Sequence, residues 1–338
     1  MSEAKNTWHF SQGAYIAGGG SVAGPMEAQG PLGDSFDQVA EKLKPIDGSW
    51  EKAEGQMQIE AMNFAMSKSG VHKDDLDFML GGDLLDQITV TNFTAKSLGV
   101  PFLGLYNACA TFAEALALGS MLIDSQHADT LAVITSSHNA TSERQYRNPT
   151  ELGAQRPQTA QWTVTGAGAM ILNNKGGVAK ITAATIGKVS DLGVKDPDQM
   201  GAAMAPAVFD TLKEHLKNTN TAPDDYDLIL SGDLGYHGHK ILDTLFQGEG
   251  FTVGPQLQDS GIWIYDNSQD SHSGGSGAGC SSSVWSGYLL QEIKKGKYKH
   301  VLLAGSGALL SPCSLQQGNS IPSISHVVEL VKEDGNAL

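Results

Sequence analysis

The chain of 338 residues carries 22 Lys and Arg against 37 Asp and Glu, a formal charge of −15. This balance, with no basic run, excludes an extended nucleic-acid-binding surface, although an acidic protein can still bind an acidic ligand in a local pocket. The three cysteines, Cys109, Cys280 and Cys313, form no CxxC or zinc-type spacing, which predicts reduced thiols and no disulfide. The N-terminus is polar and the apolar runs are too short for a bilayer, so we expect a soluble chain without signal peptide or transmembrane segment.

The first part of the chain predicts strands and helices in alternation. Residues 7–10 and 14–17 favour a strand pair, and the glycine- and proline-rich stretch 18–34 favours a loop. Residues 49–68 predict a helix, with Ser49 as N-cap and acidic residues in the first turn.

A short strand, a tight turn and a long apolar helix then follow one another. Residues 100–106 predict a buried strand, 107–111 the turn, and 112–123 a helix that is apolar on nearly every side apart from Glu114. Cys109 therefore lies at the N-terminal end of a buried helix, where the dipole and unpaired backbone N–H groups favour a thiolate and an anion site. The alternative is that Cys109 only fills space, as buried cysteines often do.

The order of predicted elements in the first half recurs in the second. Residues 74–84 align without a gap with 224–234, and each block contains a turn, a short strand and a following Gly-Asp-Leu. In the first block we expect the strand to cover residues 78–80 and to end at Gly81 and Gly82. A helix led by Cys280 repeats the helix led by Cys109, and the strands that follow them keep the same offset. The chain therefore carries an internal duplication.

Alternating helices and short apolar strands predict an α/β fold. We expect an N-terminal half, 1–175, and a C-terminal half, 176–338, related by a pseudo-two-fold axis, with the two cysteine-led helices buried at the centre. This arrangement resembles the thiolase superfamily, which includes thiolases and ketoacyl synthases, and the resemblance implies a thiolase-like fold.

A set of short motifs carries a closer resemblance, which runs over essentially the whole chain. The motifs lie at residues 23–25, 30–37, 82–85, 135–147, 163–168, 187–193, 200–206, 274–277 and 307–312. Together they resemble the stage V sporulation protein AD family of spore-forming Firmicutes. The resemblance implies a protein that binds dipicolinate (dipicolinic acid, a pyridine with two carboxylates) and works with membrane subunits of the SpoVA system to load it into the developing spore.

The same resemblance implies where such a protein acts and with what. It implies peripheral association with the forespore or spore inner membrane and a place in dipicolinate transport, with a link to germination. Thiolase-fold proteins usually pair through one face of the core, so a homodimer is a candidate assembly. We predict no cofactor and no metal-ligand residues, and the sequence shows no Asp-rich calcium loop; the role of calcium carried with dipicolinate stays open.

Condensing chemistry would need more than Cys109. It needs a nucleophile, a base and an oxyanion hole, and thiolase-like enzymes take the base, a histidine, from loops of the second half. In the corresponding loops His237 and His239 lie several residues late, and His272 lacks the flanking glycine and proline. We therefore predict a non-catalytic dipicolinate-binding protein. The alternatives are an acyl-CoA condensing or thiolytic enzyme with Cys109 as nucleophile, and a purely structural subunit of a membrane assembly.

The predicted ligand site gathers residues at the ends of duplicated strands and at the second cysteine-led helix. Its members are Cys109, Asp83, His138, Asp233, Gly275, Ser276 and Gly277. Ligands of open α/β folds bind at the carboxyl ends of strands, and glycine-rich loops offer backbone N–H groups to a flat ligand. The alternatives are structural: the aspartates cap turns, the histidine bonds the backbone, and the glycines form a tight turn.

Arginines are the usual partners of a dicarboxylate, because a guanidinium can bind each carboxylate in bidentate fashion. The densest set in this chain is Arg144, Arg147 and Arg156. The alternative is a surface salt-bridge network of these arginines with Glu143 and Glu151.

Overall fold

The computed structural model describes residues 5–146 and 155–333. Helices and strands alternate through both halves, as the sequence pattern predicts. The first set of elements comprises β1 (Thr7–Ala23), α1 (Pro25–Ala28), β2 (Gln38–Val39), α2 (Trp50–Ser69), β3 (Phe78–Asp83), α3 (Thr89–Leu98), β4 (Phe102–Gly104), α4 (Thr111–Asp124), β5 (Thr130–Ser137), α5 (Asn139–Tyr146), β6 (Trp162–Thr163) and β7 (Gly166–Asn173). The second set comprises β8 (Ala179–Ile186), α6 (Met200–Thr219), β9 (Leu228–Ser231), α7 (Gly235–Gly248), β10 (Leu257–Asp259), α8 (Ser260–Trp263), β11 (Gly275–Ser276), α9 (Ala278–Val284), a π-helical segment (Trp285–Leu289), α10 (Leu290–Lys294), β12 (His300–Ala308), α11 (Pro312–Gln316) and β13 (Ser323–Lys332).

The ends of α2 show how local chemistry determines an element. Ser49 precedes the helix with an extended backbone, and its Oγ accepts a hydrogen bond from the Lys52 N–H at 3.2 Å. Gly70 ends the helix with a φ of 68°, a left-handed conformation that favours glycine. The predicted N-cap is therefore confirmed.

The strand order repeats from one half to the other. Within the described residues, eleven strands form one mixed sheet in the order β10-β9-β12-β13-β8-β1-β7-β5-β3-β4, with β2 paired beside β1. From either edge inward, three parallel strands are followed by two antiparallel ones, and β1 and β8 join the two sets at the middle. This repetition is what an internal duplication predicts, and it confirms the α/β fold class.

Two helices provide the middle of the core. One is α4, and the other is the continuous helical stretch formed by α9, the π-helical segment and α10. The rings of Phe112 and Trp285, both fully buried, lie 6.0 Å apart between them. One apolar cluster joins these helices to side chains of β1, β5, β7, β8, β12 and β13. The prediction of two buried central helices is confirmed.

The first strand corrects one expectation. The predicted pair 7–10 and 14–17 is a single strand that continues to Ala23, through the first part of the predicted loop. The glycines of that stretch are strand residues because α2 packs directly on them: a Cβ on Gly20 would collide with the Ala61 carbonyl. Glycine here serves close packing rather than a turn.

A similar correction applies to β3. The predicted strand 78–80 continues to Asp83, so the two glycines that were expected to end it lie inside it. A Cβ on Gly81 would collide with the carbonyl of Ile134 on the neighbouring strand β5. Close approach of two backbones again explains the glycine.

Candidate functional site

Cys109 lies in a sharp turn just before the central helix α4, as the sequence predicts. The preceding Ala108 has a φ of 49°, a left-handed conformation that costs about 1 kcal/mol or more for a residue with a Cβ. Thr111 braces the turn, since its Oγ1 accepts from the Asn107 N–H at 2.9 Å and donates to the Ala108 carbonyl at 2.7 Å. Strand β12 packs on the same turn: a Cβ on Gly307 would collide with the Asn107 carbonyl.

Asp233 approaches Cys109 from the second half. Its buried carboxyl group accepts hydrogen bonds from the Cys109 thiol, from Ser306 Oγ at 2.7 Å and from the Gly277 N–H at 2.9 Å. Burial raises the pKa of Asp233 to about 6, against the lowering effect of these donors. Asp233 can therefore hold or release a proton near neutral pH, directly beside the thiol.

A cavity that opens to solvent lies beside Cys109, with about 460 Å³ of empty space when its open mouth is included. Among the described residues it is lined by Leu84, Tyr106, Ala108, Cys109, Ser142, Tyr146, Thr163, Pro197, Met200, Ser276, Ala308 and Leu310. This part of the lining is mainly apolar and includes no Lys, Arg or His. A mainly apolar pocket with a few polar groups is the usual setting of a small-molecule site, so this space is a candidate site for a small organic ligand.

Two tyrosines contribute aromatic surface to the cavity. The Tyr146 hydroxyl donates to the Leu84 carbonyl at 2.6 Å, and the Tyr106 hydroxyl lies 3.0 Å from that of Tyr146. A flat aromatic ligand can stack on such rings. Sequence reasoning missed both residues, although Tyr106 lies three positions before Cys109 and Tyr146 lies within the motif 135–147.

The structure brings together four of the predicted site residues: Cys109, Asp233, Ser276 and Gly277. Strand β11 pairs with β6, Ser276 lines the cavity, and the Gly277 N–H binds Asp233. Gly275 precedes Ser276 in the chain, and its carbonyl accepts a hydrogen bond from Gln161 Nε2 at 2.9 Å. Gly275 is not among the described residues that line the cavity.

Asp83 lies in a buried polar network behind the cavity wall. Its Oδ2 accepts from the Thr91 N–H and hydroxyl at 2.7 and 2.8 Å, and its Oδ1 accepts from the Leu85 N–H at 3.1 Å. Glu54, which sequence reasoning missed, is the neighbouring buried carboxyl group. Burial and the nearby Asp83 raise the pKa of Glu54 to about 8, and burial raises that of Asp83 to about 6. In the described lining of the cavity Asp83 is absent; it caps the turn after β3.

His138 also takes the structural role that the sequence left open. Its Nδ1 accepts from the Ala140 N–H at 3.1 Å, and its ring centre lies 5.1 Å from that of Trp50. Burial lowers the pKa of His138 to about 4, so the imidazole is neutral. His138 is not among the described residues that line the cavity.

Two of the three arginines lie within the described residues, and each binds a protein group. Arg144 pairs with Glu51 at the surface. Arg156 lies over the Trp162 ring, 4.5 Å from its centre, and donates to the Asp270 carbonyl at 3.1 Å. Arg147 lies outside the described residues.

Two of the three histidines that sequence reasoning considered as bases make other contacts, whereas the buried Nδ1 of the third, His239, has no hydrogen-bond partner among the described residues. His237 Nδ1 lies 3.2 Å from Ser273 Oγ. His272 Nδ1 lies 2.8 Å from the Pro157 carbonyl, and its Nε2 lies 3.0 Å from the Asp270 carboxylate.

A buried histidine that sequence reasoning missed reaches the Cys109 turn. His326 on β13 places Nε2 3.0 Å from the Asn107 side-chain amide, and the Gly187 N–H donates to its Nδ1 at 3.3 Å. Burial lowers the pKa of His326 to about 4, so this imidazole is also neutral. Asn107 and His326 are 219 positions apart and His326 lies within an apolar strand, so only the fold reveals the pair.

The described ranges contain no group of three or more His, Cys, Asp or Glu side chains placed to hold a metal ion. In the same ranges, every helix is too short or too polar to cross a bilayer.

Comparison with known proteins establishes the family. The family model described as Stage V sporulation protein AD (SpoVAD) matches residues 4–331. Stage V sporulation protein AD of Bacillus subtilis (strain 168) is 44% identical over 331 residues, which cover 98% of each chain. The chain belongs to the stage V sporulation protein AD family. Membership places it among sporulation proteins, in a family named for a stage of sporulation rather than for a reaction.

Solved structures show the same fold at low identity. The 3-oxoacyl-[acyl-carrier-protein] synthase III of Aquifex aeolicus VF5 superposes with a TM-score of 0.60 at 15% identity, covering 94% of this chain and 100% of its own. Acat5 thiolase of Ascaris suum, solved in complex with coenzyme A, gives a TM-score of 0.57 at 9% identity, covering 95% and 100%. These likenesses confirm the predicted thiolase-like fold, and at such identities they show the fold alone.

Proposed function

We propose that this protein is a non-catalytic dipicolinate-binding protein that helps to move dipicolinate into the forespore during sporulation. The observation that carries the proposal is the cavity beside Cys109, where a thiol and the buried carboxyl group of Asp233 face one another in mainly apolar surroundings. Family membership supplies the sporulation setting.

The walls of the cavity suit a single planar ring. Tyr106 and Tyr146 offer aromatic faces, and Leu84, Met200 and Leu310 offer apolar surface. A pyridine ring gains both stacking and burial of its apolar edge in such a site.

The charge of the ligand must also be accommodated, because both carboxyl groups of dipicolinate are ionised at neutral pH. Cys109 lies just before α4, and the positive end of a helix dipole favours an anion there. Asp233 opposes an anion only when it is ionised. Because its pKa is raised to about 6, protonation removes that repulsion at mildly acidic pH and leaves an O–H donor.

The contacts around the cavity support binding rather than condensation. A histidine-dependent condensing mechanism needs that histidine within hydrogen-bond reach of the nucleophile, whereas the group that accepts from the Cys109 thiol here is the Asp233 carboxyl group. His237 and His272 bond to Ser273 and to the Pro157 carbonyl, and the neutral His326 bonds to the side chain before the turn.

Isothermal titration calorimetry of dipicolinate tests the proposal. We expect one molecule to bind per wild-type chain, with weaker binding by Cys109→Ala and unchanged binding by Cys280→Ala. Cys280 is the matched control because it is buried at the equivalent helix of the second half, where its thiol lies 3.7 Å from the Gly232 carbonyl. Benzoate and picolinate serve as ligand controls. Folded wild-type protein that takes up no dipicolinate would overturn the proposal.

One observation favours the enzymatic alternative. The strained turn at Ala108 and the apolar cavity beside Cys109 would also suit acyl transfer to the thiol. Mass spectrometry of the intact protein after incubation with acetyl-CoA, malonyl-CoA and longer acyl-CoAs distinguishes the readings. An acyl adduct lost in Cys109→Ala supports an enzyme, and an unmodified chain with every donor supports the binding protein.

The setting in the cell is part of the proposal. We infer peripheral association with the forespore or spore inner membrane through membrane subunits of the SpoVA system, and pairing of two copies through one face of the core. Spores that carry only Cys109→Ala should contain less dipicolinate while the variant stays at the membrane. Normal dipicolinate content in those spores would favour a purely structural subunit instead.

A further inference from the structure

One polar group of the cavity is left without a protein partner. Ser142 lines the cavity and is only 3% exposed, and within the described residues its Oγ makes no hydrogen bond. Buried hydroxyls are nearly always paired, since leaving water without a replacement partner is unfavourable. An unpaired hydroxyl at the wall of a cavity is thus a group that a ligand can satisfy.

Three other polar groups of the lining are already engaged. The Tyr146 hydroxyl donates to the Leu84 carbonyl, and the Cys109 thiol donates to Asp233. Thr163 Oγ1 lies 3.4 Å from the Glu143 carboxylate. These hydroxyl and thiol groups already bind other protein groups, whereas the Ser142 hydroxyl is free to turn toward a ligand.

The helix that carries Ser142 is held from two sides. The Ser142 backbone N–H donates to the His138 carbonyl at 3.1 Å. The preceding Thr141 lies 3.1 Å from the buried Glu54 carboxyl group, and Arg144 pairs with Glu51 on α2. The hydroxyl is therefore placed before a ligand arrives, which lowers the ordering cost of binding.

We propose that Ser142 is a specificity-determining residue of this cavity and donates its hydroxyl hydrogen to one carboxylate of the bound aromatic acid. The inference rests on the proposed function and deepens it. Hydrogen bonds to ionised acceptors are the strong ones, and the described lining offers no cationic side chain to replace this donor. Ser142 then separates acids from neutral compounds of the same shape.

The test compares dipicolinate with its dimethyl ester on wild type and Ser142→Ala. We expect dipicolinate to bind about tenfold more weakly to Ser142→Ala, as for loss of a hydrogen bond to a charged group, with little change for the neutral ester. The melting temperature should stay equal or rise, because the variant loses an unpaired buried hydroxyl rather than a bond. A structural role would lower it instead.

Ser286→Ala is the matched control, because Ser286 Oγ is likewise buried without a hydrogen-bond partner among the described residues but does not line the cavity. We expect its affinity for dipicolinate to equal that of wild type. Equal affinity of Ser142→Ala and wild type would overturn the role of Ser142 and leave the proposed function standing. No binding of dipicolinate by wild type would overturn both.

Discussion

The pair of buried carboxyl groups behind the cavity predicts that Glu54→Gln flattens the pH dependence of stability. Thr141 Oγ1 lies 3.1 Å from Glu54 Oε2 and 2.9 Å from the His138 carbonyl, and Ser136 Oγ donates to Glu54 Oε1 at 2.7 Å. A threonine hydroxyl has one hydrogen. If it goes to His138, Glu54 must be the donor to Thr141, which agrees with the pKa of Glu54 being raised to about 8.

The sign and size of the effect follow from proton linkage. Between the ordinary pKa of Glu54, 4.5, and about 8, the folded protein holds a proton that the unfolded chain releases. This stabilising contribution is fully present below pH 4.5 and is lost as the pH rises through 8. One proton corresponds to about 1.4 kcal/mol per pH unit, so wild type should lose about 2–3 kcal/mol between pH 6 and 8 through this group.

Glutamine reproduces the protonated carboxyl group, with an N–H for Thr141 and a carbonyl for Ser136. Urea unfolding at pH 6 and pH 8 should therefore show Glu54→Gln close to wild type at pH 6 and more stable than wild type at pH 8. Glu54→Ala is the control, and it should be about 2–4 kcal/mol less stable than Glu54→Gln at both pH values because it leaves two hydroxyls and a void. Parallel loss of stability in wild type and Glu54→Gln between the two pH values would refute the reasoning.

Three further predictions concern the site and the core. The affinity for dipicolinate should rise as the pH falls from 8 to 6, because Asp233, with a pKa of about 6, becomes neutral over this range. The rise should be at most about tenfold per pH unit, and calorimetry of Asp233→Asn should show no such dependence on pH. Gly307→Ala should cost about 1–3 kcal/mol in urea unfolding and weaken binding, since its Cβ would collide with the Asn107 carbonyl; unchanged values would contradict the described packing. Phe112→Ala should cost about 3–5 kcal/mol by removing a fully buried ring that packs on Trp285, and a smaller cost in the same assay would mean that the core relaxes.

The fold could be predicted from the sequence where helix caps and apolar runs mark elements that the structure buries. Ser49, the apolar helix after Cys109, and the repeated Gly-Asp-Leu blocks all predicted elements that the structure contains. The predictions at Gly20 and Gly81 were wrong, because a loop and a strand end were expected where the strands continue. A glycine needed for close backbone packing and a glycine needed for a turn look alike in one sequence, and only the neighbouring element distinguishes them.

The candidate site was accessible only in part, because its residues come together across both halves. Cys109 and Asp233 each follow a predicted strand, and the rule that ligands bind at the carboxyl ends of strands predicted their meeting. Asp83 occupies the equivalent position in the first half, yet Thr91 supplies donors that bind it in a turn. Ser142 and His326 carry no local signal, since their significance depends on an unfilled hydrogen bond and on a partner far away in the chain.

The measurement that tests the central claim most directly is protection of the Cys109 thiol from alkylation. The exposed Cys313 is first replaced by serine so that it does not react. Cys109 is 6% exposed and Cys280 is fully buried, so iodoacetamide modification followed by peptide mass spectrometry then reports on the cavity. We predict that dipicolinate slows modification of Cys109 with the concentration dependence found by calorimetry, and that benzoate at the same concentration does not. Alkylation of Cys109 at an unchanged rate under saturating dipicolinate would contradict the placement of the ligand in this cavity.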